Sequence, residues 1–308
     1  MDANDRTEMA RLMREVLNGL YTMRPQLVTP TPGSRGADDR ANSERRRNGD
    51  PWGAVPAETY TTIVAGLGVA TVDHLHGCAQ IMLDDVDFGP GVMARCTLEA
   101  AGRQTWLLDL DLDVRERVGR GYALRVRGLR DNARNLAALA ASDSEPVPEL
   151  LTAQDDALRR TAEVIGTAND LGYKTERNSE TGEFTGLVGL SPLGDAAYGY
   201  QAVKHLEVPP LAMMYAQWSG MVHSTYDAIR NSFLEAAEDD PNLIRLGTTN
   251  ASRIIAAGLA TIGALYAFDL MLVYFGAPDP SPRLALEPDV LPAIKQLFLD
   301  AISAHATG

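Results

Sequence analysis

The stretch "IIAAGLATIGALYAF", residues 254–268, constrains the fold more than any other. It carries no charge, and "LMLVYF" continues it after Asp269. A run of this kind approaches the roughly 20 apolar residues that a bilayer requires. Its Ala and Gly content and the acid at 269 favour another place for it, since charge is costly inside hydrocarbon. We expect a helix buried on all sides at the centre of a bundle, and no membrane span.

The remaining sequence supplies helices to surround it. From residue 56 onward the apolar period is helical, predicting helices near 57–83, 91–108, 113–141, 148–171, 194–206, 210–236, 248–275 and 286–304. Pro90, Pro146, Pro192, Pro209 and Pro241 fall at their starts or in the breaks, where proline is tolerated. Residues 172–192 break the period, and their Asn-Ser-Glu-Thr-Gly turn predicts a small hairpin or a long loop. The expected fold is all-α, one bundle of about eight helices over residues 56–308. Met9, Leu12, Met13, Val16 and Leu20 place a short helix in an N-terminal arm, residues 1–28. Between arm and bundle, residues 29–55 are poor in apolar side chains and rich in Pro, Gly, Arg, Asp and Asn. Such a composition buries too little surface to offset its ordering entropy, so a disordered linker is expected there.

Charge and cysteine content narrow the partners. A formal net charge of −13 over 308 residues repels a nucleic-acid backbone, so no nucleic acid is expected. The two cysteines, Cys78 and Cys96, fall in helical segments and read as buried thiols of a reducing compartment. With no apolar signal region at the start, the expected location is cytoplasmic. A homo-oligomer is left open.

Four groups of residues are candidates for chemistry. Asp84, Asp85 and Asp87 follow a helix and precede Gly89-Pro90-Gly91. Carboxylates so placed can hold Mg²⁺ when substrate phosphates supply further oxygens, although an acidic turn between helices accounts for them more simply. On the next helix Arg95, Glu99 and Arg103 stand at four-residue steps with Trp106 beside them. If that face is buried, Arg95 and Glu99 must pair; if exposed, they form an ordinary surface ladder. On the helix expected after Pro209-Pro210, Ser219 and His223 lie four apart along an apolar stripe that includes Tyr215 and Trp218. A nucleophilic serine would also need an orienting acid and oxyanion donors, which the sequence does not display. Finally, Arg120, Arg127, Arg130 and Arg134 fall within about 80° of one another on a helical wheel, a basic stripe suited to a phosphate or to the chain's own acids. His74, His76 and Cys78 lack the second Cys/His pair of a zinc site.

Two resemblances follow from these residues. The Asp84/Asp85/Asp87 cluster resembles the aspartate-rich motif of class I terpene synthases, which are also all-helical. That resemblance implies a Mg²⁺-dependent lyase or cyclase acting on an isoprenoid-type diphosphate. The family's second metal motif begins correctly at Asn169-Asp170, but Tyr173 and Arg177 occupy its remaining ligand places. The segments "ARCTLEAAGRQTWLLD", "RERVGR" and "YAQWSGMVHST" resemble a loose group of helical actinobacterial proteins of unknown function. The shared pattern is Arg-x-x-Leu-Glu, then Trp-Leu-Leu-Asp, then Ser-x-x-x-His, matched here at Arg95, Leu98, Glu99, Trp106, Leu107, Leu108, Asp109, Ser219 and His223. It brings no activity with it, and implies that the two helices face each other.

The expected site is therefore a pocket in a helical bundle for a hydrophobic or phosphate-bearing small molecule. Glu99, His223, Arg95 and Ser219 are its catalytic candidates. Trp106, Met214, Tyr215, Trp218, Arg120 and Arg127 would contact substrate. A non-catalytic helical interaction protein is the alternative. A nuclease of the helical HEPN kind is a third reading, although none of the five histidines follows an arginine at that family's spacing.

Overall fold

A computed structural model of the chain describes residues 1–23, 29–84, 86, 89–142, 147–180, 182, 184–190, 192–206, 235–237, 240–245, 249–276 and 288–307. Among them the architecture is all-α. The helices are α1 (Ala3–Met23), α2 (Arg35–Asn42), α3 (Pro56–Ile81), α4 (Gly89–Leu107), α5 (Val114–Ser142), α6 (Pro148–Asp170), α7 (Asp195–Val203), α8 (Asn250–Phe275) and α9 (Val290–Thr307). A 3-10 turn, Lys204–Leu206, follows α7. Strands β1 (Thr175–Arg177) and β2 (Phe184–Leu187) pair antiparallel, the hairpin anticipated in the irregular stretch. A second antiparallel pair joins β3 (Glu235–Ala237) to β4 (Asp240–Arg245). The helix expected over 210–236 lies mostly outside the described residues, and its described end, residues 235–236, belongs to strand β3.

The chain divides into two compact units, each drawn from separated segments. The first comprises residues 1–35, 64–108 and 194–308. Helix α8 is its hub, and α1, α4, α7 and α9 pack on it. By length and composition α8 could cross a membrane, but 83% of its apolar window is buried inside the protein, so it is a core helix. Its glycines explain how it takes neighbours on several sides. A Cβ at Gly263 would stand 2.8 Å from Leu98 Cδ2 of α4, and one at Gly258 would stand 3.1 Å from Phe298 Cδ2 of α9. Packing that close leaves no room for even one added carbon without movement. Thr249 caps the start of α8 by accepting from Ser252 N, and Gly276 ends it in the left-handed region at φ 66°. Thr31 then seals the last carbonyls: its hydroxyl donates to Gly276 O at 2.6 Å, and its amide donates to Phe275 O at 2.9 Å. Helix α1 is not a detached arm. Met9, Leu12, Met13, Val16 and Leu20 are all buried, and the helix packs on α8 and α9.

The second unit comprises residues 36–63 and 109–193. Helices α5 and α6 pair there. Asp113 and Glu116 start α5 with a reciprocal capping box, each backbone amide donating to the other's carboxylate. The structure corrects the expected disordered linker over 29–55. Residues 36–55 include most of α2 and form a strap fastened to α5 and α6. Trp52 is 1% exposed; its indole stacks on Tyr122 at 3.7 Å, and its Nε1 donates to Val164 O at 3.0 Å. Arg117, also fully buried, donates to both oxygens of Asp39 at 2.8 and 2.6 Å. Arg125 donates to Pro51 O, Arg46 pairs with Asp50, and Tyr122 donates to Trp52 O. The compositional argument failed because one tryptophan and one buried ion pair do here what many aliphatic side chains do elsewhere.

Candidate functional site

Helix α4 orders its charges as the four-residue steps require. Arg95 Nε donates to Glu99 Oε1 at 2.6 Å, with both side chains largely buried. Arg103 approaches the other Glu99 oxygen at 3.6 Å and donates to Asp195 Oδ1 of α7 at 2.9 Å. Its guanidinium also lies over the Tyr198 ring, 5.2 Å from the centroid. Trp106 meets Tyr198 edge-on at 5.7 Å, and Gly102 permits this crossing, since a Cβ there would fall 1.7 Å from Tyr198 O. Thus the Arg95–Glu99 pair forms on a buried face, in a network whose acids are already engaged by arginines. Nearby, burial raises the Cys96 thiol pKa above its ordinary value, and the Glu99 charge adds to that. Cys78 is fully buried, and burial raises its thiol to about 12, so neither cysteine is activated as a thiolate.

Ser219, His223, Met214, Tyr215 and Trp218 lie outside the described residues, so the facing of the two helices stays an expectation. Asp85 and Asp87 lie outside them too. Asp84 is exposed, and its carbonyl accepts from Arg253 Nη1 at 3.3 Å. Among the described residues, no three His, Cys, Asp or Glu side chains gather to hold a metal.

The arginine stripe on α5 meets partners within its own unit. Arg120 reaches Asp109 at 3.5 Å, Arg127 donates to Leu193 O at 2.5 Å and approaches Asp131 at 3.8 Å, and Arg134 reaches Asp131 at 3.5 Å. These contacts engage two of the chain's own acids, Asp109 and Asp131, and one backbone carbonyl.

Among the described residues, a concave feature with both apolar and polar walls lies in the second unit, where sequence reasoning named no site. A cavity of about 200 Å³ opens between the strap, the start of α5 and the residues after α6. Trp52, Pro56, Val114, Val118, Leu171 and Tyr173 give it an apolar lining, and Asn42, Ser43, Glu44 and Arg115 a polar one. Arg115 is held in place: Nη2 donates to Leu171 O at 2.6 Å, its guanidinium lies 4.5 Å over the Tyr173 ring, and Tyr173 donates to Arg115 O at 2.7 Å. Burial, the largest cause, raises the phenols of Tyr122 and Tyr173 to about 12. Both stay neutral donors at ordinary pH. The signal that could have found this cavity is Trp52 itself, a large aromatic in "GDPWG" amid polar residues. A tryptophan there needs a partner surface, and that surface implies a fold-back of the segment.

No family model matches the chain, and no curated protein and no solved structure is similar to it.

Proposed function

We propose that the chain binds a small molecule with an aromatic or apolar body in the cavity of the second unit. The observation that carries this reading is the lining: an aromatic wall of Trp52 and Tyr173 beside one fixed guanidinium. Apolar walls with a few convergent polar groups are the usual make-up of ligand sites. At about 200 Å³ the cavity suits a ligand smaller than a drug-sized molecule. A cytoplasmic setting accords with two free cysteines.

A second reading keeps the catalytic pocket on α4, with Arg95 and Glu99 completed by Ser219 and His223. The tight, buried Arg95–Glu99 pair favours it. One experiment separates the two. Ligand-observed NMR against small aromatic fragments, with Val118→Phe to fill the cavity and Glu99→Gln to disturb α4, assigns any bound fragment. Loss of binding in Val118→Phe alone supports the cavity. Loss in Glu99→Gln alone moves the site to α4.

A further inference from the structure

We infer that the cavity's ligand is a small aryl zwitterion, a molecule with an aromatic ring, a carboxylate and an ammonium group. This rests on the cavity being the binding site. Among its described lining residues only two are charged, Arg115 and Glu44, one of each sign. Arg115 is held by neutral groups, the Leu171 carbonyl and the Tyr173 ring, and pairs with no acid among the described residues. It therefore presents further N–H donors, which a planar carboxylate matches. Glu44 has one weak partner, Arg46 at 3.5 Å, with its side chain 61% exposed. An ammonium would gain more from it than that long surface contact does.

The neutral polar groups divide in the same way. Ser43 Oγ accepts from Ala57 N, which leaves its hydroxyl proton to donate to a carboxylate. Asn42 uses Nδ2 on Asp38 O, which leaves its side-chain oxygen to accept from an ammonium. The ring of the ligand then lies against Trp52, Tyr173 and Val118. A purely anionic ligand would leave Glu44 opposed to it, and a purely cationic one would leave Arg115 opposed.

Isothermal titration of the full chain at pH 7 tests this with four matched probes: phenylalanine, N-acetylphenylalanine, phenylalaninamide and N-acetylphenylalaninamide. We expect phenylalanine to bind about two- to fivefold tighter than either singly blocked form, the range of an ion pair made at a solvent-exposed side chain. Arg115→Met should erase the advantage of the free carboxylate, and Glu44→Gln that of the free amine, each leaving aryl binding in place. Equal affinity for all four probes, abolished by Val118→Phe, would keep the cavity as the site and overturn the zwitterion. If none of the four binds and neutral aryl fragments also fail, the cavity reading falls, and the zwitterion with it.

Discussion

Helix α8 and the strap over residues 36–55 are both firmly ordered, by opposite means. Helix α8 is ordered by sheer apolar area: twenty of its side chains are buried, most of them Ala, Ile, Leu or Gly, and its glycines let neighbours close in. The strap has few apolar residues and is fixed at points. Trp52 lies flat on Tyr122, Asp39 takes both nitrogens of Arg117, and backbone carbonyls accept from Arg125 and Tyr122. Area-based order is distributed and survives a single loss. Point-based order concentrates its stability in two or three groups, and that concentration makes the contrast testable.

The largest effect is expected at Trp52. Trp52→Ala should cost about 3–5 kcal/mol, the usual range for a buried tryptophan, read as a shift in the urea midpoint. It should also release the strap, so that trypsin cuts at Arg45, Arg46 and Arg47 while α8 remains intact. A variant with an unchanged midpoint and an uncut strap would break the comparison.

Next comes the ion pair. Asp39→Ala leaves Arg117 charged and buried without its carboxylate, although Nη1 still donates to the Leu112 carbonyl, and should cost about 3 kcal/mol. The double variant Asp39→Leu/Arg117→Met removes both charges and should recover most of that loss, since an apolar pair of similar size often equals a buried ion pair. If the double variant is as unstable as the single one, the pair contributes through specific hydrogen bonds, and the strap depends on geometry more than on charge balance.

These two regions also show why the sequence was readable in one place and not in the other. The periods of α3 to α6 and of α8 lie close to the surface of the text, because apolar spacing repeats every turn. So did the Arg95–Glu99 step, whose spacing alone brings the two side chains together. Nothing periodic announces Arg117 meeting Asp39 across 78 positions, or Trp52 Nε1 meeting Val164 O across 112. The cavity was missed for the same reason, since Ser43, Trp52, Arg115 and Tyr173 converge from three separate segments. Long-range polar contacts depend on the fold already being in place, and composition sees only that apolar residues are few.

A smaller pair of effects sharpens the point about area. Gly102→Ala drives a methyl into the Tyr198 carbonyl and should cost about 1–3 kcal/mol by prising α4 from α7. Gly128→Ala, on an exposed turn of α5 with nothing within 4 Å, should instead stabilise by about 0.5–1 kcal/mol through helix propensity. Urea midpoints of the two variants should therefore move in opposite directions. If both move down, helix α5 is held by more than its own backbone at that turn.

The last prediction has no effect at neutral pH and separates the regions by where their stability fails in alkali. Tyr122 and Tyr173 are raised from 10.0 to about 12 in the folded chain, chiefly by burial. The unfolded chain releases these protons near pH 10, and the folded chain holds them to about 12. Their contribution is thus complete below pH 10 and is lost as the pH rises from 10 to about 12. Cys78, under α4 in the first unit, is raised from 9.0 to about 12, so its own loss begins a full unit earlier. Urea unfolding from pH 8 to 12 should show a decline beginning near pH 9 that Cys78→Ala removes, and a steeper one above pH 10 that Tyr173→Phe reduces. Tyr173→Phe leaving the limb above pH 10 unchanged would mean that this phenol ionises without unfastening the strap, and Trp52 and Asp39 would then carry its order alone.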